Sequence, residues 1–433
     1  MSCPSAGRWC STHPIDPNEK AVISMHDEDR EVTGGVDTHG EIHVAAAVDE
    51  VGRILGTASF PSTAAGYRAL LRWLRSHGRV VSVGVEGTGA YGAGLSRYLT
   101  REQVAVVEVN RPDRQRRRRR GKSDSVDAES AARSALNGDA SGTPKSGIGP
   151  AESVRVLRMT RRSAIKARTQ AANQIRDLIL TAPDQLRCRL RDLDTAARVS
   201  LCVRLRPGAL NDPAEATKAA LRTLAQRHIN LSSEVDTLDV QIAAMCANLN
   251  PALLAARGVG PEVAATLLVA AGDNPHRMRS ESAFAALCGA SPVEASSGKI
   301  TRHRLNSGGD RQANNALWRI VIVRMSSDQR TKNYVARRTL DGKSKKEIIR
   351  CLKRHVAREM FRLLTDPPTL PVGADLRVAR AETHLSLATV AEALGTWPTR
   401  ISELERGLVH DAELAQRYEI WLNTKLVLDK SDL

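Results

Sequence analysis

Aromatic side chains are scarce in this chain of 433 residues, where Phe, Trp and Tyr together make up 3%. So few rings argue against an aromatic platform for stacking nucleic-acid bases. No apolar run approaches the length of a membrane-spanning helix, and the N-terminus has no pattern of a signal peptide. We therefore expect no membrane partner, and any contact with nucleic acid should rest on phosphates and on arginine.

Paired cysteines are also missing. The seven cysteines are scattered, and none forms a CxxC motif. This spacing argues against a zinc ribbon, and free thiols in odd number fit a reducing compartment. The sequence therefore predicts a cytoplasmic protein.

Acidic residues are outnumbered, with 48 Asp and Glu against 64 Lys and Arg, which gives a net charge of +16. An excess of this size predicts a polyanionic partner. The excess is concentrated between residues 111 and 122, in RPDRQRRRRRGK. Consecutive arginines mostly meet phosphates, so we expect backbone contacts without base reading. The predicted contacts are Arg116, Arg117, Arg118, Arg119, Arg120 and Lys122.

Four acidic residues stand in contexts that suit a metal site. Asp37 in GGVDTHG and Glu86 in VGVEGTGAY each follow an apolar, β-branched run, which is typical of a strand end. Asp124 and Asp127 in KSDSVDAESAA are three residues apart at a predicted helix start, so they share one face. Carboxylates suit Mg²⁺ or Mn²⁺, and two such ions promote phosphodiester chemistry. Alternatively, the Asp pair only caps a helix, and Glu86 is a solvated turn residue.

The pattern up to about residue 145 predicts an α/β domain. Three strands come first, then a helix, a strand, a helix, a strand, the basic run and a final helix. Ser62 is the expected cap of the first helix. The predicted strands end at Asp37 and span about Glu41–Val48, Arg53–Phe60, Val80–Val85 and Val104–Val109, with a helix over about Tyr91–Leu99.

The rest of the chain is predicted to be all-α. Two long helices, Val154–Leu180 and about Ala214–Leu249, are joined by a loop near Pro207–Pro213. They indicate an antiparallel coiled-coil arm or, as an alternative, an ordinary helical bundle.

Leu253–Gly272 has the helix–GVG–helix form of a helix-hairpin-helix, whose turn offers backbone N–H groups to a phosphate. A hairpin that serves packing alone is the alternative. A serine-containing loop follows, ASSGKITRHR, and a helix then begins after GGD. The cations expected to contact nucleic acid here are Lys299, Arg302, Arg304 and Arg311.

Past a Pro-rich linker, Leu376–Gly407 reads as three short helices of the Cro/repressor helix-turn-helix type. Ala391 and Gly395 occupy the positions for a small residue and a tight turn. Ile401 and Leu404 should face the core, and the predicted groove side consists of Thr399, Arg400 and Glu403. A packing or dimerisation module is the alternative.

The ordered motifs VDTH, VEGTGAY, KSDSVDA, GVGP, CGASP, SSGKITR and GGDRQANNALW resemble those of the insertion sequence 110 family of DEDD transposases, from about Val32 to Leu364. The resemblance implies a ribonuclease-H-like (RuvC-like) domain in which Asp37, Glu86, Asp124 and Asp127 are the four acids. It also implies a nucleophilic serine, either Ser297 or the adjacent Ser296, activated by metal and carboxylates in a composite site. The implied partners are donor and target DNA, a bridge RNA, and further copies of the chain in a dimer or tetramer.

The expected organisation follows from these patterns. We predict a disordered tail (1–31), a RuvC-like domain (32–145), a coiled-coil arm (146–250), a transposase domain (251–366), a linker (367–374) and a helix-turn-helix (375–433). The leading function is an RNA-guided DNA recombinase. A Holliday-junction-type endonuclease, which needs no serine, and a repressor that acts through its C-terminal helices are the alternatives.

Overall fold

A computed structural model describes residues 30–109, 123–140, 142–298, 303–304, 306, 308–368, 373–407, 409 and 411–431. The chain forms two compact units, which divide between Gly147 and Ile148. The basic run, Lys299, Arg302 and nearly all of the predicted tail lie outside the described residues. Within the described residues, no helix combines the length and apolar character needed to cross a membrane.

The first unit contains a five-stranded mixed sheet with strand order β3-β2-β1-β4-β5. The first three strands are antiparallel neighbours, whereas β1, β4 and β5 run parallel. The strands are β1 (Glu31–Thr38), β2 (Ile42–Val48), β3 (Ile54–Pro61), β4 (Arg79–Glu86) and β5 (Ala105–Val109). The helices are α1 (Ala64–Arg75), α2 (Ala93–Arg101) and α3 (Asp124–Leu136). The predicted order of strands and helices is confirmed.

Two details of the prediction are wrong. Thr63 rather than Ser62 caps α1, since its side chain accepts a hydrogen bond from Gly66 N at 3.2 Å. Helix α2 begins at Ala93 rather than Tyr91, because the chain after Glu86 first closes a turn in which Gly92 N donates to Gly87 O at 3.1 Å.

The two faces of the sheet are covered by different helices. Alternate residues of a strand point to opposite faces, and Val32 and Val36 of β1 share a buried apolar cluster with α1 and α2. Gly35, on the other face, lies against α3: a Cβ atom there would come within 2.1 Å of Ala132 N. Gly84 of β4 also lies against α3, since a Cβ atom there would lie 2.5 Å from Ala131 O. Helix α3 therefore rests directly on the backbone of β1 and β4.

The second unit begins with two long helices, α4 (Pro150–Leu180) and α7 (Pro213–Leu249). They are antiparallel, since Val154 of α4 packs in one cluster with Ile242 of α7 while Ile175 packs with Leu221. The connection between them is more than the predicted loop near Pro207–Pro213. It also contains two short helices, α5 (Asp184–Leu190) and α6 (Thr195–Val203). These short helices bury Leu190 and Cys202 in the cluster at that end of the pair.

A larger apolar core joins the base of this helix pair to the following elements. Cys246 of α7, Phe284, Ile320 and Met360 are all buried in it. The elements are α8 (Pro251–Ala255), α9 (Pro261–Ala271), a 3₁₀ helix (Pro275–Arg277), α10 (Glu281–Leu287), a hairpin of β6 (Val293–Glu294) and β7 (His303–Arg304), α11 (Arg311–Ser327), α12 (Gln329–Leu340) and α13 (Lys345–Thr365).

Four C-terminal helices form a separate apolar cluster, which includes Ile401 and Leu404 as predicted. Inside it, the buried carboxylate of Glu405 accepts hydrogen bonds from Arg380 Nε and Tyr418 Oη, both at 2.7 Å. Arg377 donates to the carbonyl of Leu254, which ties this cluster to the rest of the unit. The helices are α14 (Ala374–Glu382), α15 (Leu387–Ala393), α16 (Pro398–Glu405) and α17 (Ala412–Ser431).

The contact between α3 and the sheet predicts a strong effect of one methyl group. We expect Gly35→Ala to lower the free energy of unfolding by about 3 kcal/mol, because the new Cβ meets helix backbone that cannot rotate away. Gly89→Ala is the matched control, since a Cβ there meets nothing within 4 Å, and its effect should stay below about 1 kcal/mol. Denaturant unfolding of both variants measures the difference, and equal stabilities would contradict the close packing.

Candidate functional site

Asp37 lies at the end of β1, on the face of the sheet that α3 covers. It follows Gly35 by two residues, so its side chain points to the same side. Only 7% of Asp37 is exposed. The strand ends are tied together there, because Thr38 Oγ1 donates to the backbone oxygen of Glu86 at 2.8 Å. The carboxylate of Asp37 is thus held by rigid neighbours at the edge of the sheet.

Glu86 ends β4, the parallel neighbour of β1. Val36 pairs with Val85 in this register, so the next residues, Asp37 and Glu86, emerge side by side on the opposite face. Glu86 also follows Gly84 by two residues, which places it on the side of α3 as well. It is partly buried.

Asp124 and Asp127 occupy the first turn of α3, which Ser123 caps by accepting a hydrogen bond from Val126 N at 3.4 Å. The small residues of α3 continue from the acids at helical spacing. Ala128 and Ala132 follow Asp124 over β1, while Ala131 and Ala135 follow Asp127 over β4. The helix therefore delivers both carboxylates to the ends of the two strands.

His39 joins two of these acids. Its Nε2 lies 3.3 Å from Asp37 Oδ2 and 3.5 Å from Asp124 Oδ1. Ligand atoms of Asp37, His39 and Asp124 all lie within 4.8 Å of one another, a spacing compatible with one metal ion. The side chains of His39 and Asp124 are half exposed, at 50% and 57%, so solvent reaches this side of the cluster.

The electrostatics of the cluster disfavour an ionised Asp37. Burial raises the pKa of Asp37, and the negative charges of Asp127 and Asp124 raise it further, whereas His39 lowers it. Like-charged carboxylates this close repel one another, and either a proton or a bound cation relieves the repulsion. Carboxylates suit hard divalent ions, and an imidazole is a ligand for several transition metals. The arrangement fits the binding of a divalent cation.

The predicted acids are grouped at one edge of the sheet. Asp37 and Asp124 come together, Asp127 acts on Asp37 through its charge, and Glu86 is aligned with Asp37 on the next strand. His39 was not predicted. The sequence signal that could have identified His39 is its position two residues after Asp37, which puts both side chains on one face of an extended segment.

The candidate serine lies in the second unit. Ser296 and Ser297 follow β6 in the hairpin whose other strand is β7, and both are exposed. Gly298 has a φ of +56°, a left-handed conformation that glycine adopts without strain. Ser297 is therefore displayed at an exposed turn.

The remaining predicted nucleic-acid contacts are separated along the second unit. Arg304 is exposed on β7, and Arg311 is the exposed first residue of α11. Arg400 of α16 forms an ion pair with Asp411, with Nη2 3.0 Å from Oδ2.

The raised pKa of Asp37 predicts a pH-dependent effect of its removal. At neutral pH the ionised carboxylate costs folding free energy, so Asp37→Asn should raise the melting temperature of the metal-free protein. The gain should shrink as the pH falls through the raised pKa of Asp37 and disappear below the ordinary value of 3.8, where this carboxyl is protonated in both the folded and the unfolded state.

A divalent cation should make the wild-type protein more stable than Asp37→Asn. The wild-type protein should gain stability on binding the ion, whereas Asp37→Asn should gain little. Thermal melts across pH, with and without Mg²⁺ or Mn²⁺, measure both effects. Exposed Asp139→Asn is the matched control. Identical pH profiles for the wild-type protein and Asp37→Asn would contradict the assignment.

Two models of protein families match this chain. A DEDD transposase model of the insertion sequence 110 (IS110) family matches residues 34–182, and the model described as "Transposase IS116/IS110/IS902 family" matches residues 250–336. Together they cover more than half of the chain. No curated protein gives a match. The mixed sheet followed by helices fits the ribonuclease-H-like architecture of DEDD transposases. The chain belongs to the IS110 family of transposases, which are enzymes that cut and rejoin DNA.

Proposed function

We propose that this transposase exchanges DNA strands by using a Mg²⁺ site at the ends of β1 and β4 and a serine nucleophile in the β6–β7 hairpin. The main support is the convergence of Asp37, His39 and Asp124 on one point at the edge of the sheet. Family membership implies the use of a divalent metal. Mg²⁺ is our choice among such ions, with Mn²⁺ as the alternative, because the predicted set consists of carboxylates.

The proposed ligands are Asp37, Glu86, Asp124 and Asp127. His39 is half exposed, and its Nε2 stands between two carboxylates where a cation would stand. We infer that His39 rotates away or becomes a ligand itself when the ion enters. The ion supplies Lewis acidity to the phosphodiester, while the rigid strand end keeps the carboxylate of Asp37 in place.

The proposed nucleophile is Ser297. Its Oγ gives up its proton and forms a bond to phosphorus, while the bond from phosphorus to one deoxyribose oxygen breaks. The departing oxygen takes up one proton and becomes a hydroxyl, so the protons balance. Attack by the hydroxyl of another strand then reverses these steps and releases the serine. The exposed position of Ser297, in a turn that glycine permits, supports this role.

The choice of DNA sites is assigned to a bridge RNA, in line with the resemblance of the motifs to the IS110 family. The net charge of +16 supports a second polyanion beside the DNA. The basic run, which includes Arg116–Arg120 and Lys122, is proposed to contact phosphates, as are Lys299, Arg302, Arg304 and Arg311. We propose that the enzyme works in the cytoplasm as a dimer or tetramer.

We also propose roles for several helices of the second unit. The antiparallel pair α4 and α7 is proposed as a coiled-coil arm for dimerisation. The segment α8–α9 is proposed as a helix-hairpin-helix, supported by Gly258 at φ +82° and by the α9 N-terminus, where Gly260 provides no side-chain cap. Helices α15 and α16 are proposed as a DNA-reading helix-turn-helix, supported by buried Ala391 and the left-handed Gly395.

The serine assignment predicts a trapped intermediate. Incubation of the wild-type protein with its RNA and DNA sites should yield a covalent adduct that mass spectrometry maps to the peptide containing Ser297. Ser297→Ala should lose both the adduct and strand exchange, because the hydroxyl that attacks phosphorus is missing. Ser296→Ala is the matched control and should remain active. Full recombination by Ser297→Ala would refute the nucleophile and favour a hydrolytic nuclease.

The helix-turn-helix assignment predicts that specific DNA binding can be weakened without loss of strand exchange. Thr399 is exposed near the start of α16, so Thr399→Ala should weaken binding to a specific DNA site without unfolding the chain. Deletion of residues 375–433 should weaken it further and spare strand exchange. Gel-shift titrations against specific and unrelated duplexes measure this. Unchanged specific binding after the deletion would indicate that these helices serve packing alone.

A further inference from the structure

A strongly cationic cleft lies at the base of the β6–β7 hairpin. It has a volume of about 540 Å³ and is bounded by the chain entering β6, by β7, and by helices α12 and α13. The cationic side chains along it are Arg304, Arg338, Lys343, Arg350, Lys353 and Arg354. Glu347 is the acid among its lining residues, and its carboxylate accepts hydrogen bonds from the Ser344 N–H at 2.9 Å and hydroxyl at 2.7 Å. These neutral donors leave the charge of Glu347 in place, but one carboxylate against six cations leaves the lining with an excess of positive charge.

Lys353 is the most informative of these cations. It is partly buried, and its Nζ donates to the neutral Oδ1 of Asn314 at 2.7 Å. Burial lowers the pKa of Lys353. An ammonium group that loses part of its hydration is stabilised by a nearby negative charge. Among the residues that the structure describes, Lys353 forms no ion pair, so its charge is left to be balanced from the cleft.

Arg354, next to Lys353, is likewise hydrogen-bonded to neutral oxygen atoms. Its Nη1 donates to Ser291 Oγ at 2.6 Å and its Nη2 to Ser282 Oγ at 3.3 Å. Two neutral hydroxyls hold the guanidinium group in place without cancelling its charge. A cation positioned in this way binds an incoming phosphate without having to be ordered first.

The cleft is close to the candidate nucleophile along the chain. Arg304 lines the cleft and pairs with Val293 in the hairpin, and Ser297 is four residues beyond Val293. Extended chain advances by about 3.3 Å per residue, so the turn is within about 13 Å of the strand pair. A polynucleotide strand spans this distance with a few nucleotides.

We propose that this cleft binds backbone phosphates of a nucleic-acid strand, a few nucleotides from the phosphodiester presented to Ser297. Lys353 and Arg354 are the fixed contacts, while the exposed Lys343 and Arg350 close the outer side. The binding of phosphates by the cleft is independent of the proposed function, and only its link to Ser297 rests on it. The cations act as positioning residues.

Lysine acetylation of the full-length protein tests this directly. The protein is acetylated with and without a short single-stranded thymidine oligonucleotide, and mass spectrometry compares each lysine. We expect protection of Lys343 and Lys353, which line the cleft, but not of exposed Lys345 and Lys346, which do not. A uridine oligonucleotide in a parallel arm shows whether DNA or RNA protects better, and protection by either supports the cleft.

Variants with matched loss of charge give a second measurement. Lys343→Gln/Arg350→Gln removes two exposed cations from the cleft. Its affinity for the oligonucleotide should fall about fivefold, with a shallower salt dependence by about one unit of slope. Arg358→Gln/Arg362→Gln is the control. It removes two cations of α13 that are both paired with Glu281, and it should change the affinity by less than about twofold.

Two results would overturn the proposal. One is acetylation of Lys343 and Lys353 that neither oligonucleotide changes, or protection that extends equally to Lys345 and Lys346. The other is an equal loss of affinity in both double variants, which would reflect overall charge. Ser297→Ala should give the wild-type footprint whether or not this serine is the nucleophile, so failure of the cleft and failure of the serine assignment remain distinguishable.

Discussion

The close approach of α3 to the sheet is the constraint on which the candidate metal site depends. Without side chains at Gly35 and Gly84, the helix backbone lies against the backbone of β1 and β4. This contact fixes how far the first turn of α3 stands from the strand ends. Asp124 comes within reach of Asp37 and His39 as a result, although almost ninety positions separate them in the sequence. The repulsion among the carboxylates is tolerated because backbone packing holds the elements together.

The sequence predicted much of this fold because its signals were local. The strands ending at Asp37 and Glu86 had β-branched runs before an acid, and α3 began with two acids at helical spacing. The cap itself is Ser123, which the sequence analysis had not singled out. Both long helices of the second unit were recognisable from their apolar spacing. Local signals erred where two candidates were adjacent, as at Ser62 and Thr63, since the choice depends on backbone geometry that neither residue sets alone.

The parts that sequence could not provide depend on contacts between distant segments. The role of Gly35 appears only when α3 lies on it, and His39 becomes notable only beside Asp124. The cationic cleft is built from the hairpin and from α12 and α13, so no single stretch of sequence marks it. The neutral partners of Lys353 and Arg354 distinguish this cleft from a solvated charged surface.

The buried carboxylate of Glu405 has a consequence for how the C-terminal helices lose their structure. Its partners come from both sides in sequence, Arg380 from α14 and Tyr418 from α17, and only 2% of Glu405 is exposed. If either α14 or α17 unfolded alone, the carboxylate of Glu405 would lose a partner while it remained buried in an apolar cluster, at a cost of several kcal/mol. Partial opening is therefore disfavoured relative to complete opening. The four helices should exchange their amide hydrogens as a single cooperative unit rather than helix by helix.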